Sequence, residues 1–193
     1  MSLLDAALNA FDAANSEDPN SIDTPEGPQP AELVYGRRMT DMLAGFDPDA
    51  SEHVQLAVRA QHIERWKFPR SNYPMDRKGY LTWRTELGRY HAETAGRIMR
   101  EIGYADEDAE RVESILRKEK LLKNPEAQAM EDVACLVFLK YYFADFITSH
   151  EEDKIIRVLR KTWRKMSEKA HEAALKLEMS PECGALVEKA LAG

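Results

Sequence analysis

The chain has 193 residues, a formal net charge of −7, 44% hydrophobic and 32% charged residues, a balance that suits one soluble globular domain with a sizeable core. No apolar run is long enough to span a membrane, and the start Met1-Ser2-Leu3-Leu4-Asp5 lacks the basic and apolar regions of a secretory signal. Cys135 and Cys183 make neither a disulfide framework nor a zinc motif, so a reduced, cytoplasmic setting is expected. An acidic chain is not a general binder of extended nucleic acid. Basic stretches at 59–100 and 154–169 nevertheless suit a small anionic ligand or a nucleotide.

Residues 3–14 carry Leu4, Leu8 and Phe11 at helical spacing. From Asn15 to Pro30 the composition turns to Asn, Ser, Asp, Pro and Gly, which predicts a proline-rich loop with nothing regular in it. A second helix follows Pro30, with Leu33, Val34, Met39 and Leu43, and ends near Gly45. Ser51 is expected to cap a helix of roughly fifteen residues that carries Val54, Ala57, Val58, Gln61 and His62 and stops before Pro69. Residues 67–78 hold two prolines and read as an ordered loop anchored by Tyr73 and Met75.

A long helix from about Gly79 to Ile102 places Trp83, Leu87, His91 and Ala95 on one stripe, which buries His91. The next helix, Glu107 to Leu122, ends at Asn124-Pro125, and the proline opens another over 126–147. That helix contains the most apolar run, Val133-Ala134-Cys135-Leu136-Val137-Phe138-Leu139, with Glu131 and Asp132 at its entry. A helix over 151–177 and a short one at 180–193 complete the chain. With no strand-period segment, the expected fold is all-α: a single helical domain over 1–193, a compact bundle of about six to eight helices.

The stretch from Gln61 to His91 is dense in His, Trp and Arg, side chains that solvated helix faces seldom use. His62, His91 and the Glu131-Asp132 pair lie on three different helices near apolar stripes. Imidazole and carboxylate are ligands for zinc, iron or manganese. Acids at the mouth of an apolar helix need a partner, either a bound cation or an arginine; at a helix start they also answer the dipole. Arg65, Arg70, Arg77 and Arg84, with Lys118 and Lys161, are candidates for neutralising an anion. Trp66 and Trp83 flank the same stretch, both as substrate-binding candidates and as core aromatics. His53, His150 and His171 read as surface residues.

The strings Gln61-His62-Ile63-Glu64-Arg65-Trp66, Tyr73-Pro74-Met75-Asp76-Arg77, Gly79-Tyr80-Leu81-Thr82-Trp83-Arg84 and Lys161-Thr162-Trp163-Arg164-Lys165-Met166, with the run from Glu131 to Leu139, resemble the domain of unknown function 4202 family over nearly the whole chain. That resemblance implies membership and brings no activity with it. A looser resemblance is to the HD-domain superfamily of metal-dependent phosphohydrolases, which are helical, with a His on one helix, a His-Asp doublet on the next and a later Asp. His62, His91 and Asp132 follow that order, while Ala92 stands where the doublet's aspartate would be, so Glu93 or Glu131 would have to replace it.

This resemblance implies an HD-like bundle that hydrolyses a small anionic substrate such as a nucleotide or phosphate ester. His62, His91, Glu131 and Asp132 would hold a divalent transition metal (Zn, Fe or Mn), with Glu93 and Lys118 as catalytic candidates. Arg65, Trp66, Arg70, Arg77, Trp83, Arg84 and Lys161 would bind the substrate. An HD-like di-iron oxygenase and a metal-free module binding a nucleotide, an RNA end or a protein are the alternatives.

Overall fold

A computed structural model describes residues 2–192, so Met1 and Gly193, the ends of the expected single domain, lie outside the described residues. The chain is all-α apart from one short hairpin. Its contacts group it into two compact units, Met1–Met130 and Glu131–Gly193.

In the first unit, α1 (Leu3–Asn15) is capped by Ser2, whose hydroxyl accepts the Asp5 N–H while the Asp5 carboxylate accepts the Ser2 N–H. The 15–30 segment is not a plain loop. It forms an antiparallel hairpin of β1 (Ser21–Thr24) and β2 (Gly27–Pro30), with Thr24 opposite Gly27 and Ile22 opposite Gln29. Pro28 and Pro30 fall on the alternate residues, whose N–H groups point away from the partner in such a ladder, so the missing donors are not missed. Gly27, with φ +104°, closes the turn.

The second helix, α2 (Ala31–Phe46), starts directly from Pro30. Ser51 caps α3 (Glu52–Ala60) through the Val54 N–H, as its position predicts. The helix then stops earlier than expected and does not carry His62. Ile63 N–H bonds back to the Ala60 carbonyl, and Glu64 adopts a left-handed φ of 53° whose N–H is taken by Asn15 Oδ1 at 2.9 Å. Helical turns at Arg65–Lys67 and Arg70–Asn72 order the following loop. Its holding side chain is Arg70, which donates to the carbonyls of Tyr73 and Pro74 at 2.9 and 2.7 Å; Met75, at 81% exposure, anchors nothing.

The longest helix, α4 (Arg77–Ile102), is capped by Asp76 and ended by Gly103 at φ +110°. Gly79 is dictated by the loop, because a Cβ there would lie 2.1 Å from the Pro74 carbonyl oxygen. The fifth helix, α5 (Asp106–Leu116), packs along α4 and against α3. It ends six residues before the expected Leu122, where Lys118 and Lys120 take left-handed φ values of 55° and 50°. Phe11, Met39, Leu56, Ile63, Met99 and Ile115 are fully buried and form the core of this unit.

A sixth helix, α6 (Pro125–Val137), opens on its proline and runs on into the second unit. There a π-turn over Phe138–Tyr142 leads to α7 (Phe143–Thr148). The single helix expected over 151–177 is two, α8 (Glu152–Trp163) and α9 (Glu168–Ala174). Asp132 decides the break: its carboxylate accepts the Ser167 N–H at 2.8 Å and the Ser167 hydroxyl at 2.6 Å, and that hydroxyl in turn caps α9. Ser180 caps the last helix, α10 (Pro181–Leu191), which packs on α8. No helix among the described residues is long and apolar enough to cross a membrane.

Candidate functional site

A cleft of about 640 Å³ opens in the first unit between one stripe of α4 and two turns, the one that ends α3 and the one that ends α5. Tyr80, Arg84, Leu87 and His91 lie on the α4 wall at intervals of four, three and four residues, which is one helical face. Gln61, His62 and Arg65 come from the turn after α3, and Arg117, Lys118 and Glu119 from the turn after α5. Five cationic side chains, Arg65, Arg84, Arg89, Arg117 and Lys118, thus face a cleft whose one lining carboxylate, Glu119, is held by Arg117 at 2.7 Å. In a chain of net charge −7 this is a local reversal of sign.

Three non-glycine residues of the described chain have positive φ: Glu64, Lys118 and Lys120. All three lie in the turns that frame the cleft, and each stores on the order of 1 kcal/mol of strain. The charge of Lys118 is felt at His62.

His62 is fixed by two contacts. Its ring stacks on Tyr35 with centroids 3.9 Å apart, and Nδ1 lies 3.2 Å from Glu32 Oε2. Burial, then the charges of Arg65 and Lys118, hold the His62 pKa well below the usual imidazole range. Burial pushes the Glu32 carboxyl up to about 7, against the pull of Arg65 3.7 Å away. The α2 start is positioned in turn by Asp18, which accepts the Glu32 N–H at 3.0 Å.

His91 is 4% exposed, and its Nδ1 donates to the Ile63 carbonyl at 2.7 Å. That bond leaves Nε2 as an acceptor, and Nε2 is buried with no partner. Burial lowers the His91 pKa to about 3, with the nearby His62 adding to the effect, so the ring stays neutral. A buried acceptor without a donor, in the wall of a cleft, marks a place where a ligand or water completes the bonding.

The expected site residues separate into distinct groups. His62, Arg65, Trp83, Arg84, His91 and Lys118 all line the cleft. Trp83 is a core aromatic as well, its N–H given to the Phe68 carbonyl at 2.9 Å, and the Arg65 guanidinium sits 5.6 Å from its ring centre. Trp66 is half-buried in the turn above and does not line the cleft, Arg70 is engaged in holding the loop, and Arg77 and Glu93 are exposed on α4.

Glu131, Asp132 and Lys161 belong to the second unit. Glu131 is buried 3.1 Å from the Lys165 ammonium, Asp132 binds Ser167, and Lys161 is exposed on α8. His171, expected on the surface, stacks on Trp163 at 4.1 Å and an interplanar angle of 1°. His53 is half-buried against Asp108 at 2.8 Å.

Sequence reasoning missed Glu32 and Tyr35, which hold His62, and Tyr80, Leu81 and Arg117 on the cleft wall. Only the helical interval from His91 back to Tyr80 was a usable signal. Among the described residues, no three His, Cys, Asp or Glu side chains are grouped so as to hold a metal ion. The donors therefore do not fit the divalent metal that the HD-domain resemblance implies.

Comparison with known proteins gives one result. The model of the family described as "Domain of unknown function (DUF4202)" matches residues 5–187, and the chain belongs to that family. No curated protein and no solved structure is similar enough to the chain to count as a match.

Proposed function

We propose that this member of the DUF4202 family binds a small phosphorylated anion, a nucleotide or another phosphate ester, in the α4 cleft. The observation that carries the reading is the lining itself: five cationic side chains, of which Arg117 is paired with the one lining carboxylate Glu119, and two neutral imidazoles around about 640 Å³, within the usual size of a small-ligand site. Arginine forks match phosphate oxygens in pairs, and the cleft's limited size favours a short anion over a polyanion.

The test is calorimetric titration of the full chain with inorganic phosphate, pyrophosphate and nucleotides at two salt concentrations. Binding is expected for at least one, weakened by salt and by Arg65→Ala. If none binds at millimolar concentration in low salt, the reading falls.

Hydrolysis of the bound ester is the reaction that the cleft would serve, and the Glu32–His62 pair supports it. A neutral imidazole at the cleft wall, held from behind by a carboxyl group, can accept a hydrogen bond from water and aim it at the phosphorus; with its pKa held low, the ring orients the water and does not act as a strong base. Arg65 and Lys118 would neutralise the phosphoryl oxygens. Phosphate release from nucleotides and simple esters, measured with chelator and then with added Zn²⁺, Fe²⁺ or Mn²⁺, tests this. Release in chelator that His62→Ala abolishes supports the metal-free form. Release only after metal addition would return the activity to the metal-dependent class.

A further inference from the structure

The cleft is not uniform along its length. His62, His91 and Lys118 gather at one end, and the other is the beginning of α4, where Tyr80, Leu81 and Arg84 line the wall; Arg65 lies between, its guanidinium 5.6 Å from the Trp83 ring. Large apolar side chains are seldom left in water here: among the described residues six are exposed, and two of them, Tyr80 at 37% and Leu81 at 52%, are in this wall. The Tyr80 ring has the Trp83 ring 6.0 Å away and the Arg84 guanidinium 5.9 Å from its centre. A part-exposed tyrosine ring with a guanidinium over it is an aromatic and cationic cluster against which a flat ring that carries negative charge elsewhere can stack.

The two ends stand eleven residues apart on one straight helical face, from Tyr80 to His91, roughly 16 Å along the axis. A nucleoside monophosphate seated on Tyr80 reaches Arg65 but not Lys118 and His91, whereas an extended diphosphate or triphosphate reaches across. The imidazole end also asks for more than charge. His91 Nε2 is an acceptor with no donor, which a fully ionised phosphate oxygen cannot satisfy and a protonated terminal phosphate oxygen or a phosphate-bound water can.

We propose that the ligand of this cleft is a nucleoside polyphosphate, with its base on Tyr80 and Leu81 beside Arg84, its phosphate chain along Arg65 and its terminal phosphate at Lys118 and His91. This rests on the anion-binding reading above and adds a specificity subsite at the start of α4. Tyr80 contributes the nucleoside part of the affinity and nothing to the phosphate part.

The experiment titrates the full chain, in chelator and again with Mg²⁺, with inorganic tripolyphosphate, ATP, GTP, AMP and adenosine. Tripolyphosphate is expected to bind, ATP or GTP about tenfold more tightly, and AMP and adenosine far more weakly. Tyr80→Ala, at an exposed position where folding is not at stake, is expected to remove the tenfold gain and leave tripolyphosphate unchanged; Arg65→Ala weakens both. Equal binding of tripolyphosphate and the nucleotides, or a gain that survives Tyr80→Ala, overturns the nucleoside subsite while the anion-binding reading stands. No binding of tripolyphosphate or of any nucleotide overturns both.

Discussion

Asp132 in the second unit and His91 in the first are both polar side chains in apolar surroundings, 2% and 4% exposed. Asp132 has one carboxylate oxygen on the Ser167 N–H and the other on the Ser167 hydroxyl, and its effect is to end one helix and start the next. His91 has one nitrogen on the Ile63 carbonyl and the other on nothing. A buried polar group whose atoms are spent on the chain is holding the fold together; one with an atom to spare, in a cleft wall, is available for something outside the chain. Burial and residue type, which made Asp132 and His91 look alike as candidate ligands, do not separate these cases. Hydrogen-bond accounting does.

The largest effect that should follow from this contrast is on stability. Asp132→Ala strips α9 of its anchor and leaves the Ser167 N–H short of a partner, an expected loss of about 2–3 kcal/mol in urea unfolding. Phosphate affinity should not move. If Asp132→Ala instead abolishes binding without loss of stability, Asp132 belongs with His91 and the contrast is broken.

The pH dependence of stability comes next, with two groups of opposite sign. The His91 pKa is depressed to about 3 from an ordinary 6.5, so between those values the unfolded chain binds the extra proton. The neutral ring then favours the fold above pH 6.5, and stability is lost as pH falls through that window. Glu32 is raised to about 7 from 4.5, so the folded chain holds the proton longer, and stability falls as pH rises between those values. Chemical denaturation across pH 4 to 8 should show Glu32→Gln flattening the high-pH side and His91→Gln the low-pH side, with each variant's own starting stability as baseline. Unchanged slopes in both variants would show that neither group is as desolvated as its contacts imply.

The smallest shifts sort the arginines. Arg65→Ala is expected to weaken phosphate binding about tenfold with little change in unfolding, as a charge-assisted contact to a ligand should. Arg70→Ala is expected to do the reverse, loosening the loop carbonyls of Tyr73 and Pro74 at about 1 kcal/mol while leaving affinity near its original value. Lys161→Ala, exposed in the second unit, should alter neither. Equal losses of affinity in all three would mean that net charge, rather than the cleft, attracts the anion.

The helices and many of their ends are legible in the order of the residues alone. Ser51, Pro125 and Ser180 start helices because their chemistry is local: a hydroxyl reaching the N–H three residues on, or a ring whose missing N–H no partner needs. That order also placed His91 on a buried stripe and concentrated the anion-binding candidates between Gln61 and His91, since helical periodicity and residue type are read within one element.

The remaining features depend on groups far apart in the chain. The early end of α3 needs Asn15 to take the Glu64 N–H, the break at Ser167 needs Asp132, and the hairpin needs a register that sets two prolines on the outward side. The seat of His62 needs Glu32, thirty residues earlier. Local propensity is blind to each of these, because the free energy comes from a bond whose other half is supplied by another part of the fold.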